Sequence, residues 1–169
     1  SDATELTTVQ PDDISAVMER VMVLGDLSQL TPAQRSAYYI RVCQSVGLNP
    51  MTRPFEYITL NGKLTLYARK DATDQLRKIH SVSVRIVSRE SIGGVYVVTA
   101  QATTPDGRCD ESIGAVPVEG LKGEAFANAL MKAESKAKRR VTLALCGLSL
   151  LDETEVESVQ RQQAEQDRP

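Results

Sequence analysis

The sequence predicts an α+β domain: a β-hairpin, a helix, a three-stranded antiparallel meander and a long covering helix, with additional N-terminal helices. Three observations carry that prediction. FEYITL and KLTLYA flank Asn61-Gly62, a two-residue turn of the type that needs positive φ twice. Strand-like segments at roughly 82–89, 94–104 and 108–117 are joined by Gly93-Gly94 and Pro105-Asp106-Gly107. Residues 122–146 then hold a helical repeat long enough to cover the sheet.

Taken in order, residues 1–10 are polar and are expected to be disordered. A first helix is expected over 11–25: Pro11 and Asp12 suit its start, and Ile14, Val17, Met18, Val21 and Leu24 recur at helical spacing. Thr31-Pro32 opens a second helix, with Thr31 as N-cap, an apolar face of Tyr38 or Tyr39, Val42, Cys43 and Val46, and Gly47 as its stop. In the hairpin, the Asn61-Gly62 turn pairs Leu60 with Lys63 and Tyr57 with Leu66. One face then carries Phe55, Tyr57, Leu64, Leu66 and Ala68 toward the core; Glu56, Ile58, Lys63, Thr65 and Tyr67 take the other. Residues 69–79 return to helical spacing through Ala72, Leu76 and Ile79. The folded unit is expected to end at 151, followed by an acidic flexible tail over 152–169 with too few apolar residues to pack.

Charge is distributed unevenly. The whole chain carries a formal −2, yet residues 1–31 hold six acids and one base, residues 152–169 six acids and two bases, and the middle 17 bases against ten acids. A basic core with acidic ends suits a polyanion partner; the bland alternative is that the ends promote solubility. The long helix concentrates the positive charge. At about 100° per residue, Phe126, Leu130, Ala133, Ala137, Val141 and Ala144 share one face, while Lys132, Lys136 and Arg139 share another, flanked by Lys138 and Arg140. A solvated face is the commonest fate of such a stretch; the charged middle of the chain favours a binding role.

Recognisable catalytic chemistry is sparse. There is no Walker loop, Rossmann glycine pattern or G-x-S-x-G elbow. Cys43, Cys109 and Cys146 are widely spaced and His80 is the sole histidine, too few ligands for a structural zinc site. For a magnesium-dependent nuclease the best carboxylate pairs are Asp71 with Asp74 and Asp110 with Glu111. The first would pair with neighbouring bases and the second would alternate across a strand. Neither an enzyme nor a cofactor is expected. With no signal peptide and no apolar run of spanning length, a cytoplasmic protein with no membrane partner is expected.

Two stretches, VCQSVGLNPMTRPFEYITLNGKLTL and DGRCDESIGAVPVEGLKGEAFANALMKAESKAKRRVTLALCGL, resemble the RecT/Redβ family of phage single-strand annealing proteins, related in fold to the eukaryotic annealing protein Rad fifty-two. The first is similar to the helix, "GLNP" segment and hairpin that open the family's fold. The second is similar to the eukaryotic protein's last strand, "EGLK" loop and long helix with a Lys-Arg pair. With the elements between them, the likeness covers roughly residues 32–151.

The resemblance implies a homo-oligomer, a ring or helical filament, whose continuous groove holds single-stranded DNA and anneals it to a duplex without nucleotide hydrolysis in a bacterial host cell. It implies DNA contacts within the Lys138-Arg139-Arg140 run, at Arg69 or Lys70 after the hairpin, and at Lys122 of the EGLK loop. Lys132 and Lys136 join these from helix geometry, and Lys63 from the outer hairpin face. In the family a C-terminal region recruits a phage exonuclease or host single-strand-binding protein; little of such a region is expected in these residues. Annealing requires gripping phosphates while leaving base edges exposed, and a chain with no Trp and only seven aromatic residues suits that better than base stacking. The rival expectations are a small metal-dependent DNA-processing enzyme and a protein-interaction module with an acidic partner.

Overall fold

The computed structural model describes residues 19–169. The stretch expected to be disordered, 1–10, and Ile14, Val17 and Met18 of the first expected helix lie outside the described residues; of that helix, Arg20–Leu24 forms one π-helical turn.

Helix α1, Pro32–Val46, starts where its sequence says it should. The Thr31 hydroxyl accepts the Gln34 N–H at 3.2 Å and the Gln34 side chain accepts the Thr31 N–H at 2.9 Å, so two otherwise orphaned donors are satisfied. Gly47, at φ 76°, closes it in the left-handed conformation. Strands β1 (Phe55–Leu60) and β2 (Lys63–Ala68) pair in the expected register, Leu60 with Lys63 and Tyr57 with Leu66. Phe55, Leu66 and Ala68 are buried, and Leu60 is buried as well. Helix α2, Lys70–Ile79, buries Ala72, Thr73 and Leu76, whereas Ile79, assigned to its apolar face, is exposed.

The meander follows as β3 (Ser83–Ile92), β4 (Val95–Thr103) and β5 (Cys109–Pro117), in sheet order β3-β4-β5. β3 runs further than expected because Gly93 and Gly94, both at positive φ, make a two-residue turn that keeps Ile92 paired with Val95. Helix α3, Gly123–Leu145, lies across this sheet. The architecture is α+β, as expected.

Two buried clusters meet at the end of α3. Leu27, Cys43, Leu48, Phe55, Leu66, Ala72 and Leu76 pack between α1, the hairpin and α2, and Leu143 joins them. Val98, Ala100, Ala102, Ala133, Ala137 and Val141 pack between sheet and helix, with Leu145. The last turn of α3 therefore stitches the two together; each fully buried leucine is worth about 1.5–3 kcal/mol.

Residues 152–169, expected to be a flexible tail, carry regular secondary structure over most of their length. Leu151–Asp152 forms β6, parallel to β2 through Tyr67 and Ala68, and Glu153–Gln166 forms helix α4. The physical reason is local. Asp152 is the N-cap, accepting the Glu155 N–H at 3.0 Å, and Glu153 and Glu155 occupy the electropositive first turn. Only that turn needs apolar support: Thr154 and Val156 are buried. Among the described residues no helix is long and apolar enough to cross a membrane.

Candidate nucleic-acid interface

Helix α3 sits close to the sheet because the facing side chains are small. Ala129, Ala133, Ala137 and Val141, each four apart, are buried over Val98, Ala100, Ala102 and Gly114. This differs from the expected apolar stripe. Phe126 is 39% exposed and Ala144 is exposed, because Gly123–Asn128 extend beyond the cover of the sheet and because Leu143 and Leu145 take the two inward directions at the other end.

The cations of α3 do not face open solvent as a bare line. Lys132 Nζ lies 3.8 Å from a Glu157 carboxylate oxygen, Arg139 3.8 Å from Asp152, and Arg140 3.8 Å from Glu155. Lys136 donates to the Ser158 hydroxyl at 3.0 Å. The line offered by the sequence thus carries α4 and its acids on top of it. Arg139 is the most committed of these residues, with its side chain 15% exposed against a fully buried Asp152. Arg140 is 45% exposed and also donates to the Ile113 carbonyl at 2.9 Å. Lys138 turns to the other flank, where it shares Glu134 with Arg89.

The residues after the hairpin join the same place. Arg69 donates to the Arg53 carbonyl at 3.0 Å and its Nε lies 3.7 Å from Glu153. The Lys70 backbone N–H donates to the same Glu153 carboxylate at 3.1 Å, capping α2. Segment 152–157 therefore brings the Arg69, Lys132, Arg139 and Arg140 side chains together around β6 and the start of α4, and meets Lys70 only at its backbone N–H. Lys122, the exposed N-cap residue of α3, and exposed Lys63 beside the hairpin turn are not part of that gathering.

Burial and then the Lys132 charge hold the Lys136 ammonium below its ordinary value; Arg140 adds to this, while Asp152 and Glu155 oppose it. Burial pushes the Glu155 carboxyl up, and the Asp152 charge adds to it. Asp152 and the glutamates after it are what sequence reasoning missed. The available signal was Asp152-Glu-Thr-Glu155, an N-cap aspartate with a glutamate three residues on, immediately after an apolar pair.

Tyr67, on the outer hairpin face, donates to Glu56 at 2.6 Å beside β6. That hydrogen bond first, then burial, pushes its phenol from 10.0 up to about 12. The sign follows: the neutral phenol is favoured in the fold, so its contribution is complete below the ordinary tyrosine range and fades as pH rises through about 12. In an alkaline titration followed by phenolate absorbance, Tyr67→Phe is expected to delete a late-ionising tyrosine; an unchanged titration above pH 11 (about one unit past the ordinary value) would contradict this.

The carboxylates considered for metal do not assemble. Asp74 pairs with Arg77, Asp110 and Glu111 are neighbours in β5, and among the described residues no three of His, Cys, Asp and Glu come together. His80 is the C-cap of α2, its N–H donating to the Leu76 carbonyl. Neither protein-family models nor curated proteins give a match to this chain.

Proposed function

We propose that this chain binds single-stranded DNA through its phosphates and anneals complementary strands without nucleotide hydrolysis, as an oligomeric ring or filament. The observation that carries this reading is the convergence of Arg69, Lys132, Lys136 and Arg140, from two distant parts of the sequence, onto one surface, with Arg139 committed to buried Asp152 beneath it. Phosphate contacts position a strand without engaging base edges, which annealing requires. Supporting the oligomer, among the described residues no strand pairs with the outer edges of β3 or β5, and each such edge offers unpaired backbone groups to a second copy. A phage origin and a bacterial cytoplasmic setting belong to the same reading, as do an exonuclease or single-strand-binding protein as partners.

The test is annealing of two complementary fluorescent oligonucleotides, without nucleotide, over a salt series. Acceleration that fades with salt is expected, with log K for a single strand falling against log[salt] at a slope near −3 if about four phosphates are neutralised. The Lys132→Ala/Lys136→Ala double variant is expected to flatten that slope by about 1.4, roughly 0.7 for each phosphate no longer neutralised. No acceleration and no low-salt binding would end the proposal. One observation favours a second reading, a module for acidic protein partners: the same cations already hold an acidic helix of this chain. Salt-insensitive assembly with no DNA affinity would select it.

A further inference from the structure

Resting on that reading, we infer that α4 is a built-in competitor for the DNA surface: its first turn is a fixed anchor, and its length beyond Val156 is a cover that a polyanion displaces.

The pairings are one-sided. Asp152, Glu153 and Glu155 of the anchored turn stand opposite Arg139, Arg69 and Arg140, whereas Glu157 of the displaceable part stands opposite Lys132. The cover therefore competes with a phosphate backbone for Lys132 and its neighbour Lys136, at the edge of the anchored pairs.

The two halves of α4 are held differently. Asp152, Thr154 and Val156 are buried and tied by the N-cap hydrogen bonds, so the first turn belongs to the fold. Beyond Val156 no residue is buried. Val159 is half-buried there, and the polar ties are the 3.8 Å Lys132–Glu157 approach, the Ser158 hydroxyl on Lys136, and Gln163 donating to the Asn61 side chain at 3.2 Å. A cavity of about 450 Å³ beside this half is bordered by Lys132 and Lys136 of α3, Val116 and Pro117 of β5, and Ser158 and Arg161 of α4. Ion pairs beyond hydrogen-bond distance and partly open to water contribute little each, about 0–1 kcal/mol, and weaken with salt. The cover is therefore weak by construction. Lys132 and Lys136 repel each other beneath it, and a phosphate arriving between them relieves that repulsion.

The test compares affinities of the full chain for a fluorescein-labelled oligothymidylate at low salt. Glu157→Gln/Glu165→Gln, which removes two carboxylates of the cover and leaves the anchored turn unchanged, is expected to bind at least about threefold tighter than a charge-matched control, Glu90→Gln/Glu111→Gln. Glu90 and Glu111 pair with Val97 and Gln101, on the sheet face away from α3, so the control changes net charge without touching the cover. In the unmodified protein, amide hydrogen exchange over 157–166 is expected to accelerate when the oligonucleotide binds, while the first turn of α4 and the buried face of α3 stay protected. Equal affinities of the two double variants, or slower exchange in 157–166 on binding, would overturn the competitor while leaving DNA binding intact. If none of the proteins binds the oligonucleotide, the DNA reading fails and the competitor falls with it.

Discussion

Gly114→Ala is expected to be among the most damaging single substitutions in the domain. A Cβ at this position of β5 would stand 2.1 Å from the Ala133 carbonyl oxygen and 2.5 Å from the Ala137 nitrogen. Both are backbone atoms of α3, so no flexible side-chain tip can swing away; the helix itself must retreat from the sheet. That movement would open space beside Ala100, Ala102, Ala133 and Ala137, all fully buried. Overpacking ordinarily costs about 1–3 kcal/mol, and because the obstruction here is main chain we expect the upper end, about 3 kcal/mol or more. Gly114, unlike the turn glycines Gly62 and Gly94, is not at positive φ, so the loss is one of packing and not of backbone freedom. Urea unfolding checks it. Glu111→Ala, exposed on the opposite face of the same strand, is the control and should stay within about 0.5 kcal/mol. A Gly114→Ala midpoint equal to that of the control would show that α3 is not seated as described. Because α3 also carries the cations beneath α4, a retreat of the helix should weaken DNA binding in parallel.

The parts of the fold legible in the sequence are those written in local chemistry. Asn61-Gly62 dictated the hairpin register, Thr31-Pro32 with Gly47 bounded α1, and two turn signals divided the meander. The less legible parts depend on tertiary contact. Helical periodicity alone placed Phe126 and Ala144 inward, but the extent of the sheet and the meeting of two cores decide which α3 residues are buried. An isolated glycine inside a strand signals close backbone approach, and Gly114 bears that signal without naming α3 as its neighbour. Average composition gives the acidic segment too few apolar residues to pack, whereas one capped turn with Val156 buried suffices to dock it. For the candidate site, residue types were readable and their commitments were not. Arg139 and Arg140 are adjacent in sequence, yet one is buried against Asp152 and the other half open to solvent.

That difference sets the second large effect. Arg139→Ala is expected to cost about 3 kcal/mol, the lower end for breaking a buried ion pair, because it strands a carboxylate rather than baring a groove. Asp152 is fully buried, and Arg139 lies 3.8 Å from it. Without that charge the carboxylate keeps the Thr154 hydroxyl at 2.8 Å, the Glu155 N–H at 3.0 Å and the nearby charge of Lys136. Those retained bonds are why the cost stays at that lower end. Arg140→Ala, by contrast, removes a partly exposed pair and should change stability by no more than about 1 kcal/mol. A joint Arg139/Arg140 alanine variant, the natural choice from sequence alone, would therefore confuse unfolding with loss of binding. The separable experiment is a double-mutant cycle. Asp152→Asn keeps a side-chain N-cap while removing the charge, so Arg139→Ala should be much less costly in that background, with a coupling of about 1–3 kcal/mol. Chemical unfolding of the four proteins measures it. Additive losses would mean that Arg139 does not balance Asp152, and would return it to the surface as an uncommitted DNA contact. Lys132→Ala/Arg140→Ala, which removes two cations of the surface and leaves the Arg139–Asp152 pair in place, is then the variant in which annealing can be read as function.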